Sequence, residues 1–197
     1  MTMRKHEITA DDLMSTEAYT KVRKERRADL VQRKKLRRLE IGPHCSMHFE
    51  NYESMWLQVQ EMLYIEKGGA EQIPGELAAY NPLVPKGAEL VVTVLFEIDD
   101  PNQRKIILSR LGGVEETAFI EVDGDRVAGV AEADQDRSTA EGKASSVQFI
   151  HFPFKPKQIE AFRKPGARIL VGFTHPHYGH IAVMSEPVRA ALAEDFD

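Results

Sequence analysis

Three histidines lie within six residues late in the chain, at His175, His177 and His180. Imidazole nitrogens are common ligands of zinc and iron, and a hairpin can present residues i and i+2 on one side while its returning strand supplies a third. The cluster therefore raises the hypothesis of a divalent metal cofactor such as zinc or iron. Because the spacing matches no fixed ligand motif, a solvated turn shaped by His-Pro is the favoured interpretation.

Two further histidines, His44 and His48, are four residues apart and would share one face of a helix. The zinc motif HExxH is absent because Cys45 follows His44. A hydrogen-bonded, partly buried pair is therefore favoured over a metal site, and His151, on an apolar strand, is assigned a structural role. Cys45 would need a neighbouring base to act as a nucleophile, and spacing alone does not identify one.

Other common motifs are absent from the sequence. It contains no GxSxG, no phosphate-binding glycine loop, no dinucleotide fingerprint and no CxxC. Nucleotide, flavin and iron–sulfur binding by this chain therefore have no motif in their favour.

Charge is distributed unevenly along the chain. Residues 1–40 contain 12 basic and 7 acidic side chains, a net of +5, whereas the remaining residues contain 14 and 24, a net of −10. Ten of the basic residues lie in Lys21–Arg38. They encircle the predicted helix, and Arg26 and Arg33 share a face with the apolar residue Val22. Internal pairing is therefore favoured, with Glu66, Glu76 and Glu97 as candidate partners. The alternative is nucleic-acid binding through residues 21–38, which no recognisable nucleic-acid motif supports.

The first 80 residues have a helical pattern. A helix from about Thr16 to Arg38 is expected because the segment lacks Gly and Pro and is rich in Lys, Arg and Leu. Gly42-Pro43 would end it and open a second helix that runs to Glu66. Two long helices joined by a short turn predict an antiparallel helical hairpin.

The pattern changes to strands after the proline-rich connector. Residues 89–98 alternate in hydrophobicity, Asp100-Pro101 begins a capped helix, and Asp123-Gly124 predicts a tight hairpin. A polar loop is expected over residues 131–143, and two strand–helix–strand units suggest a split βαβ sheet. The prediction is a single α+β domain over residues 1–197: an N-terminal helical hairpin (about 1–80) with a mainly antiparallel sheet and short covering helices (about 86–197).

The cellular setting is also constrained. A chain of 197 residues can bury a proper core, and no stretch approaches the ~20 apolar residues that a membrane span needs. No secretory signal pattern is present, and a lone Cys45 fits a reducing compartment. We therefore expect a cytoplasmic protein that does not act at a membrane.

Several short motifs follow one another in a distinctive order: Gly42-Pro43, Phe49-Glu50-Asn51, Gln58–Leu63, Glu66, Glu76, Tyr80–Pro85, Glu97-Ile98-Asp99, Ser146–Phe149 and His175-Pro176. This order, which covers essentially the whole chain, resembles an uncharacterised bacterial family, domain of unknown function 3501. The resemblance implies a cytoplasmic protein encoded near rubrerythrin and iron–sulfur oxidoreductases, and hence a link to peroxide or redox metabolism. It supplies no catalytic residues, and His44, His48, His177 and His180 are not part of the matching pattern.

The leading hypothesis is an accessory protein in a redox-stress system that binds a partner protein, a metal or a small ligand. Its candidate surface comprises Glu61, Glu66, Glu76, Tyr80 and Asn81, with His175 at a hairpin tip. The resemblance implies rubrerythrin-like or iron–sulfur redox proteins as partners, and self-association is left open. The alternative is a metal-dependent enzyme that uses the three-histidine cluster with Glu97 or Glu66 as base.

Overall fold

Strands from both halves of the chain build two antiparallel sheets in the computed structural model, which describes residues 5–132 and 143–197. The strands are β1 Arg38–Ile41, β2 Cys45–Glu50, β3 Glu89–Phe96, β4 Ala118–Val122, β5 Asp125–Ala128, β6 Val130–Ala131, β7 Val147–Pro153, β8 Ile169–Phe173 and β9 Ile181–Val183. The helices are α1 Thr16–Lys34, α2 Tyr52–Glu66, α3 Ile73–Tyr80, α4 Pro101–Leu108, α5 Pro156–Arg163 and α6 Glu186–Ala193. Most of the predicted loop over 131–143 lies outside the described residues.

The two sheets face each other across the main apolar core. Sheet A has the strand order β1-β2-β3-β7-β6 and sheet B the order β5-β4-β8-β9. Val92 and Ile150 of sheet A and Ile120 and Val171 of sheet B are fully buried in one cluster. Every ladder is antiparallel, which confirms the α+β class, whereas the suggested split βαβ sheet is wrong.

The predicted helical hairpin is also wrong, because residues 38–50 form the β1–β2 hairpin. Helix α1 ends at Lys34, and α2 begins only after Asn51, whose side chain accepts a hydrogen bond from the Ser54 amide. The alternating residues Cys45, Met47 and Phe49 enter the core between the sheets. Pairing of β2 with β3 therefore outweighs the weak helical pattern of this segment.

Elements with strong local signals form where the sequence places them. The Asp100 carboxylate accepts a hydrogen bond from the Gln103 amide at the start of α4. Asp123 and Gly124 both have positive φ, 49° and 91°, as a tight β4–β5 turn requires. These elements are confirmed because their determinants lie within a few residues of one another.

Helices α2 and α3 cover the outer face of sheet A. Met55 and Val59 of α2, Leu77 of α3 and Val91 of β3 meet in a second apolar cluster. In the part of the chain that the structure describes, no helix has both the length and the apolar character for a membrane crossing.

Candidate functional site

Helix α1 lies against α2 and is anchored there by Tyr19, its one buried residue. The Tyr19 ring meets Trp56 and Tyr64 of α2 edge-on, with ring centroids 6.3 and 6.0 Å away. Its hydroxyl donates a 2.6 Å hydrogen bond to Glu61 Oε1. Burial, followed by this bond to Glu61, raises the pKa of Tyr19. The rest of α1 is largely exposed, so its outer surface is open for contacts beyond its own fold.

The carboxylate of Glu61 on α2 binds the basic side chains of α1. Arg23 donates two parallel bonds of 2.8 Å to its carboxylate, and Arg27 Nε lies 3.9 Å from Oε2. The hydrogen bonds from Arg23 lower the pKa of Glu61, although partial burial opposes the shift. Two guanidinium groups therefore share one carboxylate, which leaves a positive surplus beside α1.

This surplus borders a shallow cleft of about 550 Å³ along one side of α1. We call it the cationic flank; it is lined by Thr20, Arg23, Lys24, Arg27, Ala28, Val31, Gln32 and Tyr64. No acidic residue lines it among those that the structure describes. Val31, one of its lining residues, is 59% exposed, so the flank combines positive charge with an uncovered apolar side chain.

The opposite side of α1 has a different character. A smaller cleft of about 270 Å³ lies there between α1 and the first turns of α2. Arg26 lies over the Trp56 ring at 5.7 Å from its centroid, and Arg33 pairs with Glu53 at 2.5 Å. Since Asp29 also lines this cleft, its charges are mixed.

Internal pairing of the basic segment is therefore found, mostly with partners other than those expected. Arg23 pairs with Glu61 and Arg33 with Glu53, whereas neither Glu66 nor Glu76 receives an arginine among the described residues. Of the three expected carboxylates only Glu97 takes part, at 3.0 Å from Arg38.

We expect Glu61→Gln to loosen α1 and to lower the free energy of unfolding by about 1–2 kcal/mol. The amide can accept from Tyr19 but cannot hold Arg23 as a charged bidentate pair, and partial exposure limits the loss. Urea denaturation, with amide exchange in α1 as a local readout, measures the effect. Glu17→Gln is the matched control, since its pair with Lys21 is 86% and 71% exposed and contributes little. Equal losses in the two variants would contradict the anchoring role of Glu61.

The other residues of the predicted binding surface lie apart from Glu61. Glu66 and Glu76 both accept hydrogen bonds from the side chain of Gln72, at 2.7 and 2.8 Å. This brings the two carboxylates together at one end of the α2–α3 pair, while Glu61 faces α1. Their role as a ligand or partner surface stays a prediction.

Tyr80 and Asn81 have separate contacts at the other end of α3. The Tyr80 hydroxyl accepts a 3.3 Å hydrogen bond from Gln58 of α2. Asn81 accepts from the Ile8 amide at 2.7 Å and donates to the Ile8 carbonyl at 2.9 Å. Asn81 thus holds an N-terminal segment in place through both ends of its side-chain amide.

The three-histidine cluster lies at the β8–β9 turn without gathering its imidazoles around one point. His175 is 8% exposed; its Nε2 donates to the Gly112 carbonyl at 3.3 Å and its Nδ1 accepts from the His177 amide at 3.2 Å. His180 packs edge-on against Tyr178, 4.6 Å between centroids. Among residues 5–132 and 143–197, no group of three His, Cys, Asp or Glu side chains could hold a metal ion. His175 therefore uses both ring nitrogens to hold the turn.

His44 and His48 do not share a helix face, because both lie in the β1–β2 hairpin region. His48 Nε2 lies 3.1 Å from Ser46 Oγ, and the Ser46 hydroxyl donates to Glu97 at 2.6 Å. Burial, then the charge of Arg38, lowers the pKa of His48. Burial raises the pKa of Cys45 to about 12, so its thiol is protonated and poorly suited to nucleophilic attack.

Two polar clusters had no signal in the sequence. Arg37 is buried and pairs with Asp195, which is 158 positions further along the chain. His151, predicted from its apolar strand to have a structural role, lies between the carboxylates of Glu89 and Glu132. Neither cluster has a fixed spacing, since each forms where distant elements meet.

Comparison with known proteins agrees with the motif order noted in the sequence. Residues 7–196 match the family model described as a protein of unknown function, DUF3501. A novel protein of unknown function from Burkholderia pseudomallei K96243 has a similar crystal structure, with 37% sequence identity, a TM-score of 0.89 and coverage of 96% of this chain and 99% of that chain. No curated protein matches the chain. The resemblance drawn from the motifs is thus confirmed, and the chain belongs to the DUF3501 family.

Proposed function

We propose that the protein is a cytoplasmic accessory protein that docks an acidic, partly apolar segment of a partner protein on the cationic flank of α1. The observation that carries this proposal is the charge of the flank: Arg23 and Arg27 share the single carboxylate of Glu61, and Lys24 has no ion pair among the described residues. An acidic segment would complement that surplus.

The apolar residues of the flank favour a protein partner over a nucleic acid. Val31 is 59% exposed, and Tyr64 is half-buried beneath the guanidinium of Arg23. A phosphate backbone needs cations but gains little from aliphatic side chains, whereas a peptide can bury its own leucines and phenylalanines against them. The flank therefore fits a segment in which carboxylates and apolar residues alternate.

The redox setting rests on the family resemblance, which implies rubrerythrin-like or iron–sulfur redox proteins as partners. Such a protein would contribute an exposed acidic segment, and this chain would supply the surface that receives it. Once peptide binding has been measured, purified proteins of these classes are the first full-length partners to test. Metal binding is not needed for this role.

The test uses fluorescein-labelled synthetic peptides and fluorescence anisotropy. We expect a 15-residue peptide of glutamates alternating with leucine and phenylalanine to bind, and its glutamine-substituted version to bind at least about tenfold more weakly. Binding should also weaken as salt rises, since exposed charges are screened. The double charge reversal Lys24→Glu/Arg27→Glu should weaken binding of the acidic peptide by about tenfold or more.

Lys157→Glu/Lys164→Glu is the matched control, because these exposed lysines change the net charge equally but lie on and beside α5. This variant should leave peptide binding almost unchanged. Equal weakening by both double variants would show non-specific attraction and overturn the proposal. Tighter binding of a single-stranded DNA oligonucleotide than of the peptide would favour the nucleic-acid alternative instead.

A further inference from the structure

Residues 5–14, which we call the N-terminal strap, lie against α2 and the segment after α3 without joining either sheet. Ile8 is 1% exposed and belongs to the second apolar cluster, with Met55, Val59 and Leu83. The other strap residues are exposed or half-buried. Among the residues that the structure describes, the strap forms main-chain to main-chain hydrogen bonds only within itself. It is therefore attached through side chains, as a docked peptide would be.

Two side-chain amides hold the main chain of the strap. Asn81 accepts from the Ile8 amide at 2.7 Å and donates to the Ile8 carbonyl at 2.9 Å. Gln60 of α2 accepts from the Met14 amide at 2.6 Å and donates to the Met14 carbonyl at 3.4 Å. Each amide thus uses its acceptor and its donor on groups that every residue except proline carries. These contacts position a segment without reading its side chains.

Two further donors reach carbonyls of the strap. Trp56 Nε1 donates to the Asp12 carbonyl at 2.9 Å, and Lys86 Nζ donates to the His6 carbonyl at 2.5 Å. The strap also contains its own turn, in which the Thr9 amide donates to the Asp12 carboxylate at 2.9 Å. The groups that form this turn all lie inside the segment, so the groove receives it as a unit.

Side-chain selection comes from the apolar part of the groove. Ile8 fills the anchor position, and Leu13 packs half-buried against the same cluster. Beside the anchor, a shallow cleft of about 630 Å³ lies between the strap and α3, where Leu77 and Ala78 line it. The groove therefore takes aliphatic side chains and has room next to the one it holds.

We propose that this groove is a peptide-binding site that the strap occupies within its own chain. Its ligand is a partner segment with the pattern of residues 8–13: an aliphatic anchor, a Thr-x-x-Asp turn and a leucine directly after it. The strap supports that pattern because it is the segment seated there. Being tethered, it competes at an effective concentration of roughly 1 mM, so a free segment binds once the strap has left. The site is separate from the cationic flank and does not rest on the proposed function.

Fluorescence anisotropy with a fluorescein-labelled peptide of residues 5–15 tests the site on the full-length protein. Ile8→Asp in the protein should release the strap, because an aspartate at the anchor would be a buried, unpaired charge. We expect this variant to bind the peptide at least about tenfold more tightly than the wild type, whose own strap competes. A peptide that itself carries Ile8→Asp should bind the released protein at least about tenfold more weakly.

Asn81→Ala, added to Ile8→Asp, should weaken peptide binding by about tenfold, since two hydrogen bonds to the peptide main chain are lost. Asn102→Ala, at an exposed position of α4, is the matched control and should leave binding unchanged. Because the peptide is acidic, the reversal Lys24→Glu/Arg27→Glu separates the groove from the cationic flank, and groove binding should survive it. Binding that this reversal abolishes and Asn81→Ala does not affect would place the peptide on the flank and overturn the site.

Circular dichroism checks that Ile8→Asp keeps the fold, and amide exchange in the wild type gives a readout that needs no variant. The Ile8 and Met14 amides should exchange at least about tenfold faster than the protected amides of β3, because the strap leaves by local opening. Equal protection of the strap and β3 would overturn the proposal, and so would a folded Ile8→Asp variant that binds no peptide. Dimers of the wild type that Ile8→Asp abolishes would show exchange of straps between two copies and overturn the assignment of a partner segment.

Discussion

Replacing Arg37 with alanine is expected to lower the free energy of unfolding by about 3–5 kcal/mol, because it removes one partner of a buried ion pair. Arg37 is 7% exposed and its guanidinium contacts the Asp195 carboxylate. It also donates to the carbonyls of Phe49 and Glu50 at the end of β2, at 3.0 and 3.2 Å. The change leaves two buried carbonyls without these donors and removes the guanidinium from a carboxylate that is only 10% exposed.

Urea denaturation gives the size of this loss. Arg33→Ala is the matched control: the same substitution four positions earlier, in a pair with Glu53 whose side chains are 61% and 52% exposed. The Arg33→Ala variant should lose less than about 1 kcal/mol of unfolding free energy. A double-mutant cycle with Asp195→Asn isolates the pairwise interaction. A loss below that of Arg33→Ala would show that this pair does not hold β2 to the segment after α6.

Phe162→Ala should also lower the free energy of unfolding by about 3–5 kcal/mol, the range for truncating a fully buried phenylalanine. The Phe162 ring is completely buried against Phe154 and Phe196, with centroids 5.7 and 5.4 Å away. The three rings join α5, the end of β7 and the segment after α6 to the main core. Removing one ring leaves a cavity that its two aromatic neighbours can fill only partly.

The same denaturation experiment, applied to two control variants, shows whether the loss of stability comes from the cavity or would follow any substitution. Phe162→Leu keeps much of the buried volume and should cost clearly less than Phe162→Ala. Val183→Ala, at a side chain 65% exposed on β9, should stay within about 0.5 kcal/mol of the wild type. If Phe162→Ala behaved like Val183→Ala, this side of the core would contribute little to stability.

The elements that the sequence predicts well are those whose determinants are local. The Asp100 cap and the Asp123-Gly124 turn depend on groups that are at most three residues apart. The helix predicted over residues 38–50 is wrong for the opposite reason. Their preference between helix and strand is weak, and pairing of β2 with β1 and β3 decides the outcome.

The candidate site likewise has features that the sequence predicts and features that depend on tertiary packing. Basic residues of Lys21–Arg38 are visible in the sequence, and so is the expectation that they are paired internally. Which carboxylate pairs with which arginine depends on the packing of α1 on α2, which brings Glu61 to Arg23 across 38 positions. Spacing could not identify that partner, because the crossing of two helices sets the distance.

The order and types of the residues are enough to predict the family, the α+β class and a basic segment too charged to be buried without partners. Three arrangements are visible only in the folded chain: two arginines share Glu61, both ring nitrogens of His175 are hydrogen-bonded at its own turn, and His151 lies between two carboxylates. The difference lies in how far apart along the chain the interacting groups are. Caps, turns and hydrophobic periodicity act over a few residues, whereas hydrogen-bond partners of buried polar groups come from whichever distant strand or helix the core places beside them.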